Sequence, residues 1–408
     1  METVLKRRDF LRRTAFAGAA GLTAVGAQGW AWRSPAQAAA RSPRLIVILL
    51  RGAADGLDIV VPYRESNYYA ARPTIAIAKP GEKDGAIDLD GQFGLHPSLA
   101  PLMAQWTAGN LAFVQATGLK DATRSHFQAQ DYLESGTARL TGSGWMNRLI
   151  GVLPANSATQ AMSVGNSMPL IFTGPQIVAS MAFGKAGNHQ IQIDRPQIQT
   201  VFDQLYAQDQ RLSQIYKEGR EARDILLKSL NDERIAASKD APAPDQFETS
   251  ARYLAQLMSG DAATQVAFME IGGWDSHVNQ RGILSRQLKP LGTGLAALAE
   301  ELGSVYEDTA IVVMSEFGRT VAENGNGGSD HGYGNAIWLL GGAIKGKQLY
   351  GEWPSLEDTA LHESRDLAIT TDFRDVLMSL LGEHFSLNAE ALSQVFPGYQ
   401  QSKTLRLV

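Results

Sequence analysis

The sequence predicts an α/β fold in which a mainly parallel central sheet carries helices on both faces. Residues 45–50 are six consecutive apolar residues, and such a run is typical of a strand buried on both faces. Mostly apolar runs recur at 111–116, 265–271 and 310–314. Helical patterns lie between them, and this alternation of strand, loop and helix indicates βαβ units.

The remaining predicted elements follow in chain order. Helices are expected over 99–106, 125–135 and 284–302. The stretch 197–260 is polar, poor in glycine and rich in Gln, Leu, Lys, Arg and Glu, with Pro242 and Pro244 interrupting it. We therefore expect a helical insertion or cap there, within one domain over 39–408.

Composition excludes several classes of protein and of site. The chain has 408 residues, 44% of them hydrophobic, and no cysteine. Disordered, collagen-like and disulfide-stapled proteins are excluded, as are thiol nucleophiles, cysteine-based zinc sites and iron–sulfur clusters. Any metal ion must therefore be held by His, Asp, Glu or hydroxyl groups.

Residues 1–38 are typical of a twin-arginine signal peptide. Arg7 and Arg8 precede an uncharged Ala/Gly-rich stretch over 15–31, and Ala36 and Ala38 flank a cleavage pattern of small residues. The apolar stretch is too short and too weakly hydrophobic for a good membrane span, although an uncleaved anchor stays an alternative. We expect a periplasmic protein, exported in contact with the twin-arginine machinery, with no stable membrane span once mature.

The charge of the mature chain argues against two kinds of partner. The whole chain has 37 Lys and Arg against 42 Asp and Glu, and the signal takes six of the former and two of the latter. The 31 against 40 that remain give a formal charge of −9. So acidic a protein is a poor binder of nucleic acid or of anionic membranes.

Polar side chains cluster after the predicted strands, where ligands bind in doubly wound sheets. Asp55 follows the first strand, and its alternative role is to cap a helix. Ser125 begins a helix after the second strand, where backbone N–H groups favour an anion or an activated hydroxyl; its alternative role is an ordinary N-cap, with His126 only hydrogen-bonded. Arg124 precedes this pair.

The later strands carry further candidate ligands. Asp275 and His277 are two residues apart in a loop, a spacing that lets both reach one ion. Glu316 ends a buried strand, Arg319 could clamp an oxyanion, and adjacent acidic and imidazole side chains follow a glycine-rich loop at 330–331. Three of the seven histidines thus lie beside carboxylates after core strands, whereas His96, His189, His362 and His384 are expected to be structural or on the surface.

These motifs resemble the DUF1501 family of exported bacterial proteins, which is similar in fold to the alkaline phosphatase and sulfatase superfamily. The motifs are LLRGAADGLD at 49–58, SHFQAQDY at 125–132, GGWDSH at 272–277, MSEFGRT at 314–320 and SDHG at 329–332. The resemblance implies an alkaline-phosphatase-like fold and a site for one or two divalent ions, whether zinc, manganese, magnesium or calcium.

The resemblance also implies roles for individual residues. The first metal position would include Asp55 and the nucleophile Ser125. Asp275 and His277 would correspond to the superfamily's Asp-and-His pair of metal ligands. Glu316 matches the superfamily's later aspartate by its place at a strand end, which leaves His331 as the last histidine; by letters alone, Asp330 with His331 matches instead. One expected histidine has no counterpart.

Two functions follow as hypotheses. The first is a periplasmic metal-dependent hydrolase of phosphate or sulfate esters, small or glycan-linked, with Ser125, His126 and Arg319 catalytic and Arg124 binding substrate. The second is a noncatalytic envelope binding or assembly protein that keeps the fold with a degenerate site. The first hypothesis predicts that six side chains converge on one cleft as metal ligands: Asp55, Asp275, His277, Glu316, Asp330 and His331.

Overall fold

The computed structural model describes residues 42–120, 123–138, 142–154, 157–165, 168–181, 246–260 and 264–408. The predicted signal peptide at 1–38 lies outside these ranges, as does most of the predicted insertion, 197–245. The remainder of that insertion, 246–260, forms a helix. Within the described ranges no helix is both long enough and apolar enough to cross a bilayer.

A nine-stranded sheet runs through the centre of the fold, in the order β11-β5-β10-β9-β1-β8-β6-β7, with β12 beside β5. Its strands are β1 Arg44–Leu50, β5 Leu111–Gly118, β6 Ala161–Val164, β7 Ala179–Met181, β8 Val266–Ile271, β9 Thr309–Ser315, β10 Asn335–Leu340, β11 Gln348–Tyr350 and β12 Thr371–Asp372. A small antiparallel sheet contains β2 Val60–Val61, β3 Ile87–Asp88 and β4 Gly94–Leu95.

The central sheet is parallel except at β10. Strand β1 pairs in parallel with both β8 and β9, whereas β10 lies antiparallel between β9 and β5. Every residue of β1 is buried, as expected for a strand covered on both faces. The predicted mainly parallel sheet and its four predicted strands are confirmed.

Helices cover both faces of the sheet. They are α1 Gly56–Ile59, α2 Ser66–Ala71, α3 Met103–Ala108, α4 His126–Ser135, α5 Trp145–Val152, α6 Gln246–Gly260, α7 Gln280–Glu301, α8 Phe373–His384 and α9 Ala389–Val395, with 3-10 helices at Pro97–Leu102, Leu170–Phe172, Gly303–Asp308 and Asp358–Ala360. Alternate residues of β1 point to opposite faces: Ile46 and Ile48 pack in the core with α6 and α7, and Val47 packs with α5 and α8.

Candidate metal centre

Three neighbouring parallel strands end at one level and bring their following loops together. Leu50, the last residue of β1, is paired with Ile271 at the end of β8 and with Ser315 at the end of β9. The loops after these strands carry the 275–277 pair and Glu316. The carboxyl edge of the sheet is therefore where the candidate side chains meet.

Gly52 lets two of these loops approach closely. Its φ of +116° lies in a region that side chains rarely adopt, and a Cβ there would come within 2.7 Å of the backbone nitrogen of Asp275. Its N–H donates to Glu316 Oε1 at 2.8 Å. Glycine at this position thus permits the contact between the first loop and the loop that carries Asp275.

Three imidazole rings meet at this edge, each held through Nδ1. The partners of Nδ1 are Glu316 Oε1 at 2.8 Å for His126, Asp330 Oδ1 at 3.0 Å for His277, and the Arg124 carbonyl at 2.8 Å for His331. Ionised carboxylates and carbonyls only accept hydrogen bonds, so each Nδ1 carries the proton. When such a ring is neutral, its Nε2 has a lone pair, the form in which imidazole binds a metal ion.

The three Nε2 atoms surround one carboxylate oxygen. Asp275 Oδ1 lies 3.7 Å from Nε2 of His126, 3.0 Å from that of His277 and 3.4 Å from that of His331. The Nε2 atoms of His277 and His331 are 3.0 Å apart. The His126 Nε2 atom is buried and has no hydrogen-bond partner among the described residues.

These atoms fit a divalent metal ion. One ligand atom from each of His126, Asp275 and His331 lies within 4.8 Å of the others. Zinc binds imidazole nitrogen and carboxylate oxygen at roughly 2.0 to 2.2 Å, so ligand atoms around one ion are about 3 to 4 Å apart. Two facing lone pairs and an unpartnered buried nitrogen are unfavourable arrangements that a cation would relieve.

Arg319 orients the carboxylate at the centre. Its buried guanidinium donates to Asp275 Oδ1 and also to the carbonyls of Gly52, Ala53 and Ser329 at 2.8–3.0 Å. Partial burial raises the pKa of Asp275, but the hydrogen bond and charge of Arg319 outweigh it and hold the pKa below its usual value. Arg319, predicted to clamp an oxyanion, thus uses its N–H donors in hydrogen bonds to the protein's own carbonyls and to Asp275.

Glu316 and Asp330 act on the histidines from outside the centre. Glu316 Oε1 accepts from the backbone of Gly52, from His126 and from Gln130. Burial raises its pKa, but these hydrogen bonds, that of His126 first, lower it below the usual value. The hydrogen bond from His277 likewise lowers the pKa of Asp330. Both carboxylates, predicted as ligands, lie where they orient an imidazole.

The pKa values of two histidines shift in opposite directions. The hydrogen bond to Glu316 raises the pKa of His126, against the opposing effect of burial. Burial lowers the pKa of His331, which the nearby His126 and Arg319 lower further. The neutral form, which can bind a metal ion, is therefore favoured at His331 and disfavoured at His126 while no cation is bound.

The structure does not bring Asp55 into this cluster. Its side chain is fully buried and caps α1 by accepting from the backbone N–H groups of Leu57 and Asp58. Its second oxygen lies 2.8 Å from Arg72 Nη1 and also accepts from Gln280. The alternative role considered for it, a helix cap, is the one its contacts show.

Ser125 and Arg124 lie at the rim. Ser125 is exposed and occupies the N-cap position of α4 without making a side-chain capping bond. Arg124 is held by Glu363 at 2.6 Å and Asp366 at 2.9 Å through Nη2. The serine hydroxyl is thus adjacent in sequence to the His126 imidazole and open to solvent.

Sequence reasoning missed two glutamines that support the site. Gln130 lies four residues after His126 on α4 and donates to the same Glu316 oxygen at 2.9 Å. Helical spacing of four residues puts both side chains on one face, so this signal was present in the sequence. Gln280 begins α7, and nothing in the local sequence marks it.

The fold and the site define a class: an α/β protein with histidines and an aspartate gathered at the carboxyl edge of a mainly parallel sheet. The chain belongs to the family described as "Protein of unknown function (DUF1501)", whose model matches residues 42–396. The family predicted from the motifs is confirmed. No curated protein matches the chain.

Several solved structures are similar to this chain. One is the C-terminal periplasmic domain of EcEptC from Escherichia coli in complex with Zn, with 12% identity, a TM-score of 0.39, and 90% of this chain and 92% of that chain covered. Another is the PsFucS1 sulfatase from Pseudoalteromonas sp., with 13% identity, a TM-score of 0.36, and 89% and 73% covered. A TAB5 alkaline phosphatase mutant with Mg bound has 10% identity, a TM-score of 0.32, and 74% and 91% covered.

Proposed function

We propose that this protein is an exported, metal-dependent hydrolase of phosphate or sulfate esters with one divalent ion in its centre. The observation that carries the proposal is the set of three Nε2 atoms around Asp275 Oδ1, one of them buried without a hydrogen-bond partner among the described residues. The ligands proposed are His126, Asp275, His277 and His331. The twin-arginine pattern at 7–8 supports export of the folded protein to the periplasm.

The donor set favours zinc. Imidazole nitrogens suit zinc and other transition metals, whereas magnesium and calcium prefer oxygen ligands. Four protein ligands fill a tetrahedral shell, so substrate would enter by expanding it to five or by displacing Asp275, which Arg319 also holds. With Asp55 bound to Arg72, the contacts support one ion instead of two.

Ser125 is the proposed nucleophile. Its exposed hydroxyl lies at the start of a ten-residue helix, where free backbone N–H groups attract an anionic ester. Its oxygen would bond to phosphorus or sulfur as the bond to the ester alcohol breaks, and that alcohol would leave with the proton given up by the serine. Water would then hydrolyse the covalent intermediate. A bound divalent ion would polarise the ester oxygens.

Arg124 is proposed to hold a non-bridging oxygen of the ester. Its side chain is 37% exposed, both ion pairs, with Glu363 and Asp366, use Nη2, and the residue directly precedes Ser125 in the chain. The positive charge beside the nucleophile complements an anionic substrate. Arg319, by contrast, is proposed to orient Asp275 and not to contact the ester.

A second candidate is a noncatalytic envelope binding protein. The capture of Asp55 by Arg72 favours it, because the family resemblance had assigned that aspartate to a metal site. Such a protein would keep the histidine centre without turning over an ester.

Metal analysis with a substrate panel separates the two candidates. We expect about one zinc per chain after loading and loss of that metal in His277→Ala. The control His384→Ala should retain the metal, because the His384 ring is hydrogen-bonded to the Arg44 carbonyl and not to any residue of the proposed centre. Aryl phosphate and sulfate esters should be hydrolysed by wild type and by Ser393→Ala, a hydroxyl control in α9 whose Oγ donates to the Glu390 carbonyl, but not by Ser125→Ala. Bound metal with no turnover across the panel would favour the binding protein, and absence of metal would refute the proposed centre.

A further inference from the structure

Gln280 joins four side chains from three separate segments of the chain beside the candidate metal centre. Its Nε2 atom donates to Asp55 Oδ2 at 2.5 Å and to Asp58 Oδ2 at 2.7 Å. Its Oε1 atom accepts from Ser276 Oγ at 3.0 Å and from Ser329 Oγ. A side-chain amide has two donor hydrogens and two acceptor lone pairs, so every one of its hydrogen bonds is made.

The neighbours fix the direction of the amide. Two carboxylates lie on one side, and they require donors; two hydroxyls lie on the other side, and they can donate to an oxygen. The glutamine, both aspartates and both serines are fully buried. No water-exposed alternative is therefore open to these groups, and losing the amide would leave several buried polar atoms without partners.

Each of the two serines is next in sequence to residues proposed to act at the centre. Ser276 separates Asp275 from His277, and its hydroxyl points inward while its neighbours point to the centre, as alternate side chains of an extended segment do. Ser329 precedes Asp330, the partner of His277, and its N–H donates to the Ser276 carbonyl at 3.3 Å. A shift of either hydroxyl would therefore move a ligand or its partner.

The aspartate side of the amide is itself anchored. Arg72 Nη1 lies 2.8 Å from Asp55 Oδ2 and 2.5 Å from Asp58 Oδ1, and Tyr68 donates to Asp58 Oδ1 at 2.7 Å. The carboxylate pair thus provides a fixed base in the first loop against which Gln280 holds the other two loops.

We propose that Gln280 is a positioning residue for the metal centre, setting the spacing of Asp275, His277 and His331 by locking Ser276 and Ser329 to the buried Asp55–Asp58 pair. This inference rests on the proposed metal centre and adds to it the network that holds its ligands in place. The role concerns binding geometry, so it is measurable without any substrate.

The test compares Co²⁺ and Zn²⁺ binding by the purified mature protein and two glutamine variants. Gln280→Met removes the amide at similar length, and Gln401→Met is the matched control, because its amide bonds Ser379 and Lys403 in a network of the C-terminal segment. We expect Gln280→Met to weaken affinity about 10- to 100-fold, the range seen when groups that orient metal ligands are lost, and to alter the visible spectrum of bound Co²⁺. The control should change neither.

The outcomes separate failure of this inference from failure of the metal centre. Folded Gln280→Met with wild-type affinity and an unchanged Co²⁺ spectrum would overturn the positioning role while leaving the centre standing. A wild type that binds neither ion would overturn both. If Gln280→Met does not fold, Ser276→Ala and Ser329→Ala give the decision: the same spectral change in either supports the role, and unchanged spectra in both refute it.

Discussion

Replacing Arg72 by methionine should destabilise the fold far more than removing an arginine from the surface. The Arg72 side chain is fully buried between two fully buried carboxylates, and it also donates to the carbonyls of Val321 and Thr320 at 2.8 Å each. Removing one partner from a buried ion pair costs about 4 kcal/mol. Two carbonyls left without donors add about 1 kcal/mol each. We expect a loss of about 6 kcal/mol, comparable to the whole stability of many domains.

The matched control is Arg252→Met. Arg252 contacts Glu248 and Glu301 at 2.9 and 2.7 Å, but its side chain is 35% exposed, and exposed pairs contribute about 0.5 kcal/mol. Urea unfolding of the mature protein, followed by tryptophan fluorescence, measures both changes. A loss for Arg72→Met within 1 kcal/mol of the control, which is roughly the spread among surface substitutions, would refute the account of the buried network.

The stability of Arg72→Met should also depend on pH, in a direction that the environment of Asp58 determines. Burial raises the pKa of Asp58 and the charge of Arg72 lowers it, so removing the arginine raises that pKa further. The folded variant then binds a proton that the unfolded chain releases, and this stabilisation is present at low pH and lost as pH rises through the folded pKa. The stability gap to wild type should be narrower at pH 5 than at pH 8. A gap that widens at pH 5 would contradict the assignment.

Three further results are expected. Glu316→Gln keeps the shape of the side chain that faces His126 but removes its charge, so zinc affinity should fall about 10-fold. Competition with a chelating dye measures the affinity. The control for a change of charge is Gln128→Glu, on the helix that carries His126. Burial, aided by the charge of Arg281, lowers the pKa of His96 to about 4. The free energy of unfolding of wild type should therefore fall by up to about 3 kcal/mol between pH 6.5 and pH 4, and that of His96→Asn should fall by less. An equal fall for both proteins in urea unfolding would exclude this. Replacing Arg7 and Arg8 with lysine should leave precursor in the cytoplasm on fractionation, and normal export would exclude the twin-arginine assignment.

The sequence predicts the centre of the fold well and its margins poorly. Strands β1, β5, β8 and β9 are wholly or mostly apolar because they lie largely buried inside the sheet, and that pattern is visible in the sequence. Edge strands of two or three residues, such as β11 and β12, are too short to show any period. The antiparallel course of β10 depends on its partners in the sheet, which no local pattern records.

The sequence likewise predicts which motifs form the site but not what each residue does there. Every proposed ligand lies in a segment that the strand ends marked out. Whether a carboxylate meets an ion or an imidazole Nδ1 depends on side-chain direction, and so Glu316 and Asp330 were predicted as ligands although they lie as partners of histidines. Asp55 is paired with Arg72, seventeen positions on, at the end of α2, and nothing in the spacing signals that contact.

The charges of the centre predict that the proposed ion binds before the proposed ester substrate. With the three imidazoles in the neutral form that binding through Nε2 requires, the carboxylates of Asp275, Glu316 and Asp330 contribute −3 and Arg319 contributes +1 before the ion is counted. The formal charge of −2 repels an anionic ester, which itself carries −1 or −2. A divalent cation cancels that charge where the groups are partly withdrawn from water and interactions between charges are strong. Removing the ion should therefore weaken the binding of the ester itself, and an effect on the chemical step alone would imply that the ester binds elsewhere.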